Sequence, residues 1–341
     1  MDNVTHTLVG IAIGQAGLKR KTRFAMWALI IGSNLPDIDV VSAIGGKLSY
    51  LKYHRGITHS LLGLTALAAI LTALIYAFGR RASPNRNRPA LSPKWLFVIC
   101  WIATGCHVLM DYTNQYGVRP FLPFSGRWVA LDIMPIVGPY VLLLLFLGLG
   151  IPAVLRLVSQ ELGVRKRDSS RAIRAGALFS LCGILGVWGL REVAHQRAVG
   201  LLSSNDYGQE TPIRVGAFPS AISPFDWTGV VETGSSYYLL DLSALAAGID
   251  ADQAELLHKP GSSAALAAAQ KSRGAKIFLN FARFPWATVF ATEDGFDVYF
   301  RDLRFASPNS SMWGFVLEVQ LNKALQIRHQ SFSFFEPSPA D

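Results

Sequence analysis

Residues 54–79 read HRGITHSLLGLTALAAILTALIYAFG. The stretch decides the fold because it sets His54, Arg55 and His59 directly before Leu61–Gly79, nineteen residues without a charge. A run of that length crosses a hydrocarbon core of roughly 30 Å as one α-helix. Ile133–Leu155 is a second uncharged run, of twenty-three residues. Trp95–Met110 and Ala175–Leu190 are sixteen-residue runs that reach spanning length if each helix extends by a turn. Four such runs within 190 residues favour a membrane domain over buried soluble helices.

Composition points the same way. The chain is 51% hydrophobic and only 16% charged, with a positive mean hydropathy, a balance unusual for a soluble protein. Its 341 residues leave room for two domains of ordinary size. Asp2 and His6 precede the first apolar stretch and no basic segment does, so no cleavable signal is read. Cys100, Cys106 and Cys182 lie inside apolar runs, which indicates neither a disulfide framework nor a zinc knuckle.

The net charge of +9 is distributed by loop rather than by patch. Fifteen basic residues fall in three alternate loops: Lys19, Arg20, Lys21 and Arg23; Arg80, Arg81, Arg86, Arg88 and Lys94; Arg156, Arg165, Lys166, Arg167, Arg171 and Arg174. The intervening loops, 35–59 and 113–135, hold five: Lys47, Lys52, Arg55, Arg119 and Arg127. The positive-inside rule puts the three rich loops in the cytoplasm and the two poor ones outside. That pattern is a membrane signature, and no nucleic-acid partner is expected.

Two early runs, Val4–Leu18 and Phe24–Leu35, are short for spans. Twelve helical residues reach about 18 Å, so these runs cross obliquely or form a re-entrant hairpin shielded by other helices. The expected fold is an α-helical membrane domain over residues 1–192, with about six spans of which the first two are short. After Leu190 the pattern changes. "SYYLLDL", "GFDVYFRDLRF" and "WGFVLEVQL" read as strands of an antiparallel sheet, and "SSAALAAAQKS" as a helix between them. Residues 196–341 are therefore expected to form a small soluble α+β domain. By parity it lies outside.

This topology gathers polar residues at the outer ends of the apolar runs. Asp2 and His6 open the first. "NLPDID" closes the second; Pro36 disfavours helix at Leu35, and in an extended segment Asp37 and Asp39 point the same way. "HRGITHS" leads into the third, with Thr58 or Ser60 as its N-cap. "HVLMD" ends the fourth, where His107 and Asp111, at i and i+4, share a helix face. His6, Asp37, Asp39, His54, His59, His107 and Asp111 thus reach one level. Imidazole nitrogens and carboxylate oxygens are the ligands that zinc and similar ions take, and ionisable groups at membrane depth usually have a partner or a function. Taken singly, each is as well explained by an interfacial histidine, a satisfied core residue or a solvated turn; the convergence argues for a site. Arg55 either binds an anionic group of a substrate or snorkels to the interface. Ser60 lacks a G-x-S-x-G setting and is read as a cap. His195, His258 and His329 show no ligand-like spacing.

"DNVTHTLVG", "NLPDID", "HRGITHSLLG" and "GCHVLMDYTNQYGVRPFLPF" together resemble the YdjM-like family of bacterial inner-membrane metal-dependent hydrolases, also described as LexA-binding. The resemblance covers about residues 1–140, with "HRGITHS" before a span as its most specific part. "SPFDWTGVVET" and "FARFPW" resemble the outer domain of longer members. The resemblance implies an integral membrane protein with a metal site built from the same seven residues, and acids at the positions of Asp2 and Asp132. One departure is "IVGPY", where Gly138 stands at a position often held by an acid.

The expected activity is metal-dependent hydrolysis at the outer face, on a lipid or lipid-linked ester or phosphoester. One or two divalent ions, zinc first, would activate water. His6, Asp37, His59, His107 and Asp111 are the expected ligands, with Asp39 or His54 as ligand, base or orienting group and Arg55 on the substrate. The rival is a non-enzymatic membrane protein whose metal clamps helices while the outer domain binds a partner.

Overall fold

The computed structural model describes residues 1–82, 89–161, 169–208, 210–310 and 312–337. Arg86, Arg88, Arg165, Lys166 and Arg167 of the basic loops lie outside the described residues. The chain divides into two compact units. The first comprises Met1–Asp39 and Arg55–Glu192, the second Val40–His54 and Val193–Asp341.

The first unit is helical. Helix α1 (Asn3–Ala16) starts at Asp2, whose carboxylate accepts from Thr5 N at 2.9 Å and Thr5 Oγ1 at 2.6 Å, satisfying donors that a helix leaves open in its first turn. Helix α2 (Ala25–Gly32) is followed by a 3-10 helix, Leu35–Gly45. The extended path expected at Pro36 is not adopted. Proline is tolerated in a first helical turn, where its missing N–H is not needed, and Pro36 is the second residue of this one. The two acids still meet: a carboxylate oxygen of Asp37 and one of Asp39 lie within 4.8 Å of each other. A short helix α3 (Lys47–Tyr53) belongs to the second unit.

Helix α4 (Leu61–Arg81) begins at Ser60, whose Oγ accepts from Gly63 N at 3.0 Å. Helix α5 (Pro93–Tyr112) begins at Ser92 with Pro93 in its first turn. Helix α6 (Pro139–Leu145) passes through a π-turn, Phe146–Gly150, into α7 (Ile151–Glu161), and α8 runs unbroken from Ser169 to Ser203. Ala25, Ala28 and Leu29 of α2 pack on Ala68, Leu71 and Ile75 of α4 and on Leu96, Ile99 and Ala103 of α5. A second cluster joins Val9 and Ala12 of α1 to Met110, Val141, Leu145, Ala177 and Ile184. On the opposite face of α4, Ile70, Leu74 and Phe78 are exposed at a spacing of four residues, a stripe suited to lipid.

Among the described residues, five helical segments are long and apolar enough to cross a membrane: Ala25–Gly45, Leu61–Arg81, Pro93–Tyr112, Pro139–Val158 and Ser170–Ser203. The expected six thus become five plus α1, whose fourteen residues reach about 21 Å. Helix α8, at thirty-five residues, is about 52 Å long, well beyond the hydrocarbon core, so its end continues into the second unit.

There Ala194, Ala198 and Leu202 of α8 are buried with Trp227, Val231 and Leu240. Strands β1 (Arg214–Pro219), β2 (Asp226–Glu232), β3 (Ser236–Ser243) and β4 (Glu255–His258) form an antiparallel sheet in that order. Helices α9 (Ala264–Gln270) and α10 (Arg273–Phe281) interrupt the run of strands. A second antiparallel sheet follows, of β5 (Pro285–Thr292), β6 (Gly295–Asp302), β7 (Met312–Asn322) and β8 (Ile327–Pro337). The strands therefore make two sheets where one was expected. Phe218, Val230 and Leu239 of the first share a core with Phe284, Trp313 and Val316. The segment 40–54, assigned by composition to the membrane domain, groups with this unit, and Tyr50 sits edge-on to Phe334 at 5.8 Å.

Candidate metal centre

Four donor atoms of the first unit converge. The Nε2 atoms of His59 and His107 are 3.2 Å apart. Asp37 Oδ1 lies 3.5 Å from the first and 3.4 Å from the second, and Asp111 Oδ2 lies 3.4 Å from each. His107 and Asp111 come from adjacent turns of α5, His59 from the 3-10 turn Ile57–His59 before α4, and Asp37 from the start of the Leu35–Gly45 helix.

Such a set can hold a cation. Five of the six separations among the four atoms lie between 3.2 and 3.5 Å; edges of that length place the centre of a tetrahedron about 2.1 Å from each corner, within the range of zinc–nitrogen and zinc–oxygen bonds. Asp111 Oδ2 is fully buried and has only the two imidazole nitrogens, each at 3.4 Å, around it, so a cation beside it, imidazolium or metal, offsets the cost of burying its charge. The donors, two imidazoles and two carboxylates, suit zinc and related divalent ions.

Three of the four donors are held from behind. His107 Nδ1 is 2.7 Å from the Ser33 carbonyl. A carbonyl only accepts, so Nδ1 carries the proton and Nε2 presents its lone pair. His59 Nδ1 faces Asp39 Oδ2 at 3.3 Å and Thr58 Oγ1 at 3.0 Å, and Thr58 donates to the same Asp39 oxygen at 2.7 Å. Burial opposes charge on His59, but the carboxylates of Asp111, Asp37 and Asp39 outweigh it and raise its pKa to about 10. In the absence of a metal the ring is thus protonated at neutral pH.

Arg55 points inward. It is 4% exposed and adopts a left-handed backbone, φ 53°. Its Nη2 donates to Asp111 Oδ1 at 2.8 Å and its Nη1 to Asn114 Oδ1 at 2.9 Å and the Gly117 carbonyl at 3.4 Å, with Tyr116 under the guanidinium at 4.8 Å. Its backbone N–H donates to Asp39 Oδ2 at 2.9 Å. Arg55 therefore fixes Asp111 of the four and Asp39 behind His59. The Met1 amino group also lies against Asp111 Oδ1.

The other expected residues take different places. His6 stacks on His107, centroids 3.8 Å apart, and its Nε2 is 3.5 Å from Asp111 Oδ1, beside the four donors rather than among them. His54 is not one of these four donors, and its ring stacks on Tyr50 at 4.4 Å. Asp2 caps α1, and Asp132 sits at a left-handed φ of 60° and is not one of the four donors. Sequence reasoning passed over Ser33, Asn114, Tyr116 and Gly117. Only Asn114, three residues after Asp111, carried a local signal as a polar residue just past a helix end.

The YdjM inner membrane protein model matches residues 1–193, more than half of the chain and all of the cluster. The chain belongs to the YdjM inner membrane protein family. A second model, the YfhP C-terminal alpha/beta plait domain, matches residues 264–338 of this YdjM-family protein. The uncharacterized protein YfhP of Bacillus subtilis (strain 168) is 31% identical over 149 residues, 41% of this chain. The match spans 43% of that relative's length. No solved structure matches the chain.

Proposed function

We propose that this YdjM-family protein is a metal-dependent hydrolase of the inner membrane, acting at the outer face on a lipid or lipid-linked ester or phosphoester. The observation that carries the reading is the convergence of Asp37, His59, His107 and Asp111 on one point. A divalent ion held there, zinc first, would lower the pKa of bound water and polarise the scissile bond. Asp37 is the one ligand with side-chain exposure, 16% against 0–1% for the others, so substrate reaches the site from its side. Asp39 and Arg55 orient ligands rather than touch substrate. The basic residues that flank alternate spans support cytoplasmic loops there and an outer location for the site and the second unit.

One observation favours the structural clamp. All four donors are protein side chains, the number found in structural zinc sites, whereas catalytic sites keep a position for water. Purified protein assayed for bound metal, then for hydrolysis of lipid esters and phosphodiesters with and without chelator, separates the two. Chelator-sensitive hydrolysis supports the enzyme. Bound metal, no hydrolysis across the panel, and a lower melting temperature after chelation support the clamp.

A further inference from the structure

The loop that follows the cluster presents its apolar side chains outward. Residues 119–128 read RPFLPFSGRW. The neck is closed by a pair of backbone hydrogen bonds, Val118 N to Val129 O at 2.9 Å and Val129 N to Val118 O at 3.0 Å. Val118 is buried with Leu64 of α4 and Val108 of α5. Inside the loop Phe124 N and Ser125 N donate to the Phe121 carbonyl at 2.9 and 3.0 Å, and Arg119 lies over the Trp128 ring at 4.5 Å. The excursion is thus an ordered one. Yet Phe121 is 50% exposed and Phe124 86%. A tip of this kind in water is ordinarily small and polar.

Its mounting says what covers it. The Pro120 carbonyl accepts from Leu61 N at 3.0 Å, and Leu61 is the first residue of the apolar helix Leu61–Arg81. Leu61 and Leu62 are themselves more than half exposed. The phenylalanines therefore continue the lipid-facing surface of a spanning helix past its end. Tryptophan and arginine on either side of them, Trp128, Arg119 and Arg127, are residue types that settle at the headgroup level.

We propose that the 119–128 loop docks on the phospholipid bilayer, with Phe121 and Phe124 in its interfacial region and Arg127 among the phosphodiester headgroups. The neck leads directly from Gly117, whose carbonyl holds Arg55, so the docked loop seats the Asp111 end of the cluster at a fixed depth. The proposal rests on Leu61–Arg81 being a span.

The full chain, with its native cysteines replaced, is reconstituted in vesicles of phosphatidylcholine and phosphatidylglycerol. Single cysteines at Phe124, Phe121, Leu74 and Ser262 carry a fluorophore, quenched by doxyl-labelled lipid or by aqueous iodide. The expected result is doxyl quenching and loss of iodide quenching at Phe124 and Phe121, as at Leu74, with the reverse at Ser262. Iodide quenching at both loop positions while Leu74 remains in lipid overturns the docking alone. Iodide quenching at Leu74 as well overturns the span on which it rests.

Discussion

His107 and Ser33 are joined by a hydrogen bond of 2.7 Å, imidazole Nδ1 to backbone carbonyl. It fixes the tautomer of a candidate donor on α5 by a group at the end of α2. The orientation of that ring thus depends on how two helices pack, not on α5 alone.

His107→Ala and His59→Ala should each remove most of the bound metal, because each deletes a donor of the four. His6→Ala should keep it, since His6 stacks on His107 outside the set. Elemental analysis of the purified variants reads this directly. Full occupancy in His59→Ala and His107→Ala would sink the shared site, and loss in His6→Ala would add a fifth ligand.

Asp39→Asn keeps the shape of the group behind His59 but removes its charge. Orienting partners of metal-bound histidines typically contribute about 10- to 100-fold in affinity. Competition against a chelator of known affinity should show a weakening in that range, and Asp37→Asn a larger one. Equal effects at the two positions would place Asp39 among the ligands.

Much of this was legible in the chain. The runs Leu61–Gly79 and Trp95–Met110 became α4 and α5, and the i, i+4 spacing of His107 and Asp111 put both on one face of a helix, 3.4 Å apart. Those are local patterns, and periodicity reports them. Tertiary choices were not legible. Pro36 biases its predecessor against helix, yet here it sits in the first turn of one, where its constraint is harmless. His54 and His59 look equivalent in "HRGITHS", but the residues between them carry the chain from one unit to the other. Arg55 reads as a substrate-binding or snorkelling cation until Asp111, Asn114 and Gly117, fifty-six to sixty-two residues away, are seen around it.

Gly10→Ala should perturb the site through packing. A Cβ at Gly10 would lie 2.5 Å from Ser33 Oγ and 3.0 Å from the Leu29 carbonyl, so α1 must move off the end of α2. Overpacking of this kind costs about 1–3 kcal/mol. A lowered melting temperature in detergent together with weaker metal binding is expected, whereas Gly105→Ala, with nothing within 4 Å, should change neither.

Cysteines placed at Lys47 and Ser262 should react with a membrane-impermeant reagent in intact cells, and one at Lys94 should not, in a background without native cysteines. All three positions are exposed. Labelling at Lys94 alone would reverse the orientation and put the cluster at the cytoplasmic face.

Metal uptake should expel a proton. Without metal, the acids around His59 hold its pKa at about 10 against an ordinary 6.5, so at neutral pH its Nε2 carries the proton that an ion must displace. Affinity should therefore rise with pH until about 10, and titration calorimetry in buffers of different ionisation enthalpy should report the release. The sign for stability is opposite in the two forms. In metal-free protein a raised pKa contributes stability that is full below 6.5 and lost as pH climbs through about 10. In the loaded protein His59 is already neutral and that loss is absent. Thermal melts across this window should fall for the chelated sample and hold for the loaded one; parallel curves would mean that His59 is not a ligand.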